Sequence, residues 1–162
     1  MSNIALDEID LRLLNHIQAD ARLTNVELAE RIGLSPSPCL RRLRKLENDG
    51  VIQGYMTFVD QTKVGLPVSV FVSVALKEQS EKALEEFEAA VAALPEVMEC
   101  YLMTGASDYL MRVVTRDLAD YERFLKNHLT RIPAIASIQS SFALKQVTYR
   151  TALPLDEEGP IS

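Results

Sequence analysis

Two helix boundaries stand almost back to back at residues 33 to 36, and few arrangements accommodate that. Thr24-Asn25-Val26-Glu27 is a capping box, with Thr24 at the N-cap and Glu27 at the third helical position. The short helix it opens carries Val26, Leu28, Ala29 and Ile32 on its apolar face, and Gly33 supplies the left-handed residue that ends it. Ser35-Pro36 then starts another helix, with Ser35 at the N-cap and Pro36 at the first helical position. That helix runs to about Asn48 and stops before Gly50. An earlier helix spans residues 7 to 19, capped by Asp7, with Ile9, Leu13, Leu14 and Ile17 at helical spacing. Residues 51 to 55 form a short extended pair resembling a small wing. Three short helices with a turn of about three residues before the last predict a winged helix-turn-helix in residues 1–56.

The third helix is the chemically informative one. Four of the seven Lys/Arg that precede Thr57 fall in Arg41-Arg42-Leu43-Arg44-Lys45. At 100° per residue, Cys39, Leu40, Leu43 and Leu46 share one face, and Ser37, Arg41, Arg44, Lys45 and Asn48 lie roughly opposite. A solvated charged face is the ordinary explanation of such a helix. The preceding turn and the Ser-Pro start favour double-stranded DNA instead. Ser37, Pro38 and Arg41 are expected near bases, and Arg42, Arg44 and Lys45 nearer the phosphates. Ser35 and Ser37 sit at a helix N-terminus suited to a phosphate. The net charge of −6 is no obstacle, because ten Lys/Arg and fifteen Asp/Glu follow Met56, so most of the acidity lies outside this region.

After a linker at 57–67 the period changes from helical to alternating. Val68, Val70, Val72, Val74 and Leu76 mark a strand, and Ser80 begins a helix that Pro95 closes. Val97 to Met103 and Tyr109 to Thr115 are two further strands around the turn 104–108. Asp117 caps a helix ended by Ile132-Pro133, and Ile135 to Val147 is a last strand. The order βαββαβ predicts a ferredoxin-like sandwich over 68–150, so the whole chain is α+β. One sheet face meets two helices. Phe71, Met98, Leu102 and Val147 cannot all point inward, which predicts oligomerisation through the sheet. Residues 151–162 read as a mobile acidic tail.

Other chemistries find little support. No apolar run reaches the roughly 18 residues of a membrane span, and the first residues lack the pattern of a secretory signal. Cys39 and Cys100 are far apart, as suits a reducing cytoplasm. His16 and Asp20 could share a helix face, but zinc wants at least three protein ligands. There is no nucleophile elbow, P-loop or Rossmann glycine pattern, and neither a metal nor a cofactor is expected. The turn Thr104-Gly105-Ala106-Ser107-Asp108 is a hairpin turn whose amides and carboxylate suit the polar ends of an amino acid.

The segments Arg22 to Ala29, Gly33-Leu34-Ser35-Pro36-Ser37-Pro38-Cys39-Leu40-Arg41-Arg42-Leu43 and Gly50 to Tyr55 closely resemble the leucine-responsive/AsnC regulators of bacteria and archaea. So does Thr104-Gly105-Ala106-Ser107-Asp108-Tyr109-Leu110, and the likeness runs in order through about residues 5 to 150. The chain departs from many members at Ala106-Ser107, where an acidic or bulky residue often follows the turn glycine. The resemblance implies a cytoplasmic, nucleoid-associated regulator of amino-acid metabolism genes, with homodimers assembling to octamers. It also implies a small amino-acid effector bound between subunits. Its contacts would come from Met103, Thr104, Gly105, Ser107, Asp108 and Tyr109, and from a neighbour's Ser137 and Gln139.

Within that frame Gly105 amides would meet a carboxylate and Asp108 an ammonium, while Met103, Leu110 and Ala136 favour leucine or methionine over a charged side chain. Two alternatives stand beside this expectation. One is an architectural DNA-wrapping protein that answers to no ligand. The other is an enzyme resembling the sirohaem decarboxylases, which share both domains but line a porphyrin cleft with basic or histidine side chains. Here the second half has only His128.

Overall fold

The structure, a computed structural model, describes residues 5–156. The chain divides into two units, Met1–Thr57 with Thr148–Ser162, and Phe58–Val147. The second is therefore inserted into the first.

In the first unit, α1 (Glu8–Ala19), α2 (Asn25–Ile32) and α3 (Pro36–Asn48) surround a core of Leu13, Leu14, Ile17, Leu28, Ala29, Ile32, Cys39 and Leu46. The helix ends are chemically explicit. Asp7 and Asp10 form a reciprocal capping box on α1, and Thr24 and Glu27 form one on α2. Gly33 takes φ 72°, a value that strains any residue with a Cβ, and lets the Leu34 amide donate back to the Ala29 carbonyl at 2.9 Å. Ser35 holds the N-cap position of α3, but its hydroxyl makes no capping bond.

No strand pair forms at 51–55. Both Val51 and Ile52 instead donate to the Leu46 carbonyl, at 2.9 and 3.1 Å, and the Tyr55 hydroxyl donates to Glu47 Oε1 at 2.8 Å. The segment is thereby stitched to the end of α3.

The second unit contains β1 (Val68–Leu76), α4 (Glu81–Ala92), β2 (Val97–Leu102), β3 (Tyr109–Thr115), α5 (Leu118–Asn127) and β4 (Ile135–Phe142). The sheet is antiparallel in the order β2-β3-β1-β4, the ferredoxin-like arrangement expected. Val70, Val72, Val74, Tyr109, Met111 and Val113 point to one face and pack with Phe87 and Val91 of α4 and Tyr121 and Phe124 of α5. The α5 helix ends at Asn127, before the expected Ile132-Pro133, and a 3-10 turn covers Leu129–Arg131.

The last strand stops at Phe142 and not at Val147. Its partner β1 runs antiparallel and begins at Val68, so the Ala143 amide, bonded to Ser69 O at 3.0 Å, finds the last acceptor of that ladder. Residues 58–67 group with the sheet, and Gln61 within them hydrogen-bonds Ser69 of β1. Leu153 and Leu155 are hydrogen-bonded to α1, while residues 157–162 lie outside the described residues.

The face of the sheet away from the helices is less apolar than expected. Direct antiparallel partners share a face, so Phe71, Tyr101, Leu110, Arg112 and Gln139 lie together on it. The Arg112 guanidinium is paired there with Glu99 at 3.1 Å. Leu102 is opposite Tyr109 and so turns to the helix side, where with Met98 it lines a groove beside α4. Val147 lies beyond the sheet. Of the four side chains that could not all point inward, the pairing places Phe71 on the open face.

Candidate functional site

The exposed face of α3 is a row built by helical spacing. Ser37, Arg41, Arg44, Lys45 and Asn48 line one shallow groove together with Leu40 and Asp49. Ser37, Arg41, Arg44 and Asn48 are separated by steps of three and four, so they stack along one side of the helix. Neither Arg41 nor Arg44 enters a hydrogen bond or ion pair among the described residues, which leaves both guanidinium forks available to a ligand. Lys45 is held by Asp49 at 3.1 Å, a surface pair that a phosphate can displace at little cost. Leu40, expected in the core, is half-buried and sits in this groove instead. Pro36 and Pro38 bring no N–H, and Cys39 N donates to Ser35 O at 3.3 Å. The start of α3 therefore offers an anion little beyond the Ser37 amide and hydroxyl.

Arg42 does not belong to this row. Its Nη1 donates to Asp7 Oδ2 at 2.7 Å and to Asp10 Oδ1 at 2.8 Å, tying α3 to the N-terminus of α1. Burial pushes the Asp7 carboxyl up, but the Asp10 amide and the Arg42 guanidinium outweigh it and hold Asp7 below the usual aspartate range. Nothing in the sequence signals this role, since the two aspartates precede Arg42 by 35 and 32 residues. Pro38, one turn before Arg42, is likewise half-buried. A further link escaped sequence reading. The Asn25 side-chain amide donates to the Pro36 carbonyl at 2.8 Å and fixes the start of α2 against the start of α3.

The residues expected to sense a ligand come together only in part. The turn after β2 is closed by the Met103 amide on the Asp108 carbonyl at 2.8 Å, and Gly105 takes φ 128° within it. Met103, Thr104 and Gly105 are exposed, and Ser107 is half-buried. Asp108 is committed to the fold. Its Oδ2 accepts from Leu76 N and its Oδ1 from Gln79 Nε2, both at 2.7 Å, while its own amide donates to Val74 O at 2.9 Å. Tyr109 faces the other way, buried in the helix layer. Its hydroxyl donates to Glu88 Oε1 at 2.6 Å, and burial followed by that carboxylate raises its pKa. Its side chain is part of the core of this unit. Ser137 is opposite Ala75 and Gln139 opposite Ser73, so both lie on the open sheet face. They begin at the same end of the sheet as the 103–108 turn, with β1 between.

Residues 6–53 match a winged helix-turn-helix DNA-binding domain, and residues 69–153 match the Lrp/AsnC ligand binding domain. The chain belongs to the Lrp/AsnC family of transcriptional regulators. Among similar proteins, the Bkd operon transcriptional regulator of Pseudomonas aeruginosa is 48% identical over 150 residues, covering 93% of this chain and 98% of that one. The leucine-responsive regulatory protein of Haemophilus influenzae is 36% identical, covering 94% and 92%. A Neisseria meningitidis transcriptional regulator solved as a complex with L-Met superposes with a TM-score of 0.89 at 38% identity, covering 94% of this chain and 99% of its own.

This Lrp/AsnC chain is thus a regulator with a DNA-binding and a ligand-binding domain, and these relatives are named as regulators, not enzymes. No helix among the described residues is long and apolar enough to cross a membrane. No group of three or more potential metal ligands occurs among them either. Burial raises the thiol pKa of Cys39, and burial with Glu88 raises that of Cys100, the opposite of what a reactive thiolate needs.

Proposed function

We propose that this Lrp/AsnC regulator reads operators through Arg41 and Arg44 of α3 and answers to leucine or methionine in controlling amino-acid metabolism genes. The observation that carries the reading is the uncommitted row Ser37, Arg41, Arg44 and Asn48 on the recognition helix. Arg41 and Arg44 present forks that suit guanine edges, with Ser35, Ser37 and Lys45 toward phosphates. The effector half rests on the exposed residues 103–106 of the turn and on two relatives, one named leucine-responsive and one solved with L-Met. Asp108 shapes that turn, and the Gly105 backbone is the part of it open to a carboxylate. A match to a ligand binding domain favours this over ligand-independent DNA wrapping.

The open sheet face, with Phe71, Tyr101 and Leu110, supports a homodimer, and dimers in turn an octameric ring in which a neighbour supplies Ser137 and Gln139. Such a protein works on cytoplasmic, nucleoid DNA. The test is a binding isotherm on a fragment that the protein selects from a random-sequence library. Arg41→Ala and Arg44→Ala should each cost about 1–3 kcal/mol and relax base preference, and Lys45→Ala should flatten the log-salt slope by roughly one. Calorimetry against L-leucine and L-methionine reports the effector half, and binding of charged amino acids alone would overturn it.

A further inference from the structure

The tail meets α1 through a small, regular device. Asn15 and Gln18 stand three residues apart and so share one face of α1. The Gln18 side-chain amide engages both polar groups of one residue. Its Nε2 donates to the Leu153 carbonyl at 3.2 Å, and its Oε1 accepts from the Leu153 amide at 2.7 Å. One turn back, Asn15 Nδ2 donates to the Leu155 carbonyl at 3.2 Å. A carboxamide presenting one donor and one acceptor to a backbone N–H and C=O imitates the narrow hydrogen-bonded pair of a β-ladder, which is how sheet edges capture extended peptides.

The peptide side is built to match. Pro154 has no amide to satisfy and biases Leu153 toward the extended conformation, so little chain entropy is lost on docking. Leu155 is half-buried against the core of the first unit, while Leu153 and Pro154 stay exposed. Backbone recognition by the two amides and a single apolar anchor together hold the segment.

We propose that the Asn15/Gln18 face of α1 is a docking site for an extended peptide whose occupant is this chain's own Leu153–Leu155, and that the docked strap is a second tether through which the sensing unit acts on the DNA-binding unit. Chain topology makes the tether real. The sensing unit enters at Phe58 and leaves at Val147, so two covalent connections join it to the helices. The exit connection leaves β4, the strand carrying Ser137 and Gln139, at Phe142 and meets α1 at Leu153 and Leu155. A rearrangement of β4 on ligand binding thus has a second covalent path to α1, through the docked strap. The coupling half of the proposal rests on the effector reading given above; the docking half does not.

The test uses the full-length chain, Gln18→Ala, which removes both bonds to Leu153, and Gln18→Glu, which keeps an acceptor for the Leu153 amide. Amide exchange at Leu153 should be protected in the parent chain. It should speed by about tenfold or more in Gln18→Ala and stay slow in Gln18→Glu, with the amides of α2 unmoved in all three. Affinity for a library-selected DNA fragment is then measured with and without L-leucine and L-methionine. Gln18→Ala should bind DNA within about twofold of the parent when no amino acid is present and lose at least half of the ligand-induced change, since strap and recognition helix are separate. A freely exchanging Leu153 amide in the parent chain would overturn the docking site. A ligand-induced change that survives intact in Gln18→Ala would overturn the tether. A parent chain whose DNA affinity ignores both amino acids would refute the effector reading and the tether together, leaving the exchange result to decide the docking.

Discussion

Replacing Arg42 separates structure from recognition within one basic cluster. Arg42→Ala removes two charge-assisted hydrogen bonds, at 2.7 and 2.8 Å, and leaves Asp7 and Asp10 facing each other without a cation. Such bonds are worth about 1.5–3 kcal/mol each when well shielded. The Arg42 side chain is 30% exposed and that of Asp7 53%, so solvent screens part of this, whereas Asp10 at 11% is poorly solvated. A net loss of about 2–3 kcal/mol follows, or about 5–10 °C in the melting of a chain this size. Arg42→Lys, with a point charge in place of a fork, should recover about half.

The pH dependence has a definite sign. Asp7 has a folded pKa below its unfolded value, so its contribution is complete above about pH 4 and disappears as the pH falls through the folded value. The stability gap between parent and Arg42→Ala should narrow over that acid range. Thermal melts by circular dichroism from pH 7 to pH 2.5, alongside DNA binding at pH 7, are the assay. Unchanged stability with a loss of DNA affinity matching that of Arg41→Ala would show that the geometry has been misread and that Arg42 belongs to the DNA face.

Other substitutions follow from the same contacts. Tyr109→Phe strips the hydroxyl from Glu88 and should cost about 1 kcal/mol in urea unfolding while leaving calorimetric binding of leucine or methionine intact; loss of binding with full stability would return Tyr109 to the effector site. Gly33→Ala forces a Cβ onto φ 72° and should destabilise the helix-turn-helix by about 1–2 kcal/mol, even though the added methyl meets open space; a neutral melt would contradict it. Phe71→Arg places a charge on the open sheet face beside Arg112 and should shift the protein toward the monomer in light scattering, with an unaltered parent-like mass counting against a sheet-mediated dimer.

What could be read in the sequence was whatever is encoded locally. The α2 helix announced itself because Thr24, Glu27 and Gly33 each satisfy a neighbour within one turn. The strands of the sensing unit were legible from alternation, and the end of β4 was not, because it depends on where β1 begins 74 residues earlier. The DNA face was half legible. Helical periodicity placed Arg41, Arg44 and Asn48 together, but it could not distinguish Arg42, whose partners come from another helix, nor show that Leu40 leaves the core. At the sensing end the turn was visible in its glycine and aspartate. That Asp108 spends both oxygens on Leu76 and Gln79 requires the sheet to exist first.

Because residues 58–147 interrupt the helical unit, this regulator is better regarded as a host with a removable insert than as two beads on a string. Domain exchange should respect that. A hybrid cut once after Thr57 would join foreign helices to a strap made for another α1, whereas grafting 58–147 between both seams keeps Gln18 with Leu153. Biosensor builders who transplant ligand-responsive cassettes into new promoter readers thus have two junctions to design here, and the second, between Val147 and Thr148, is the one a linear view of the chain would overlook.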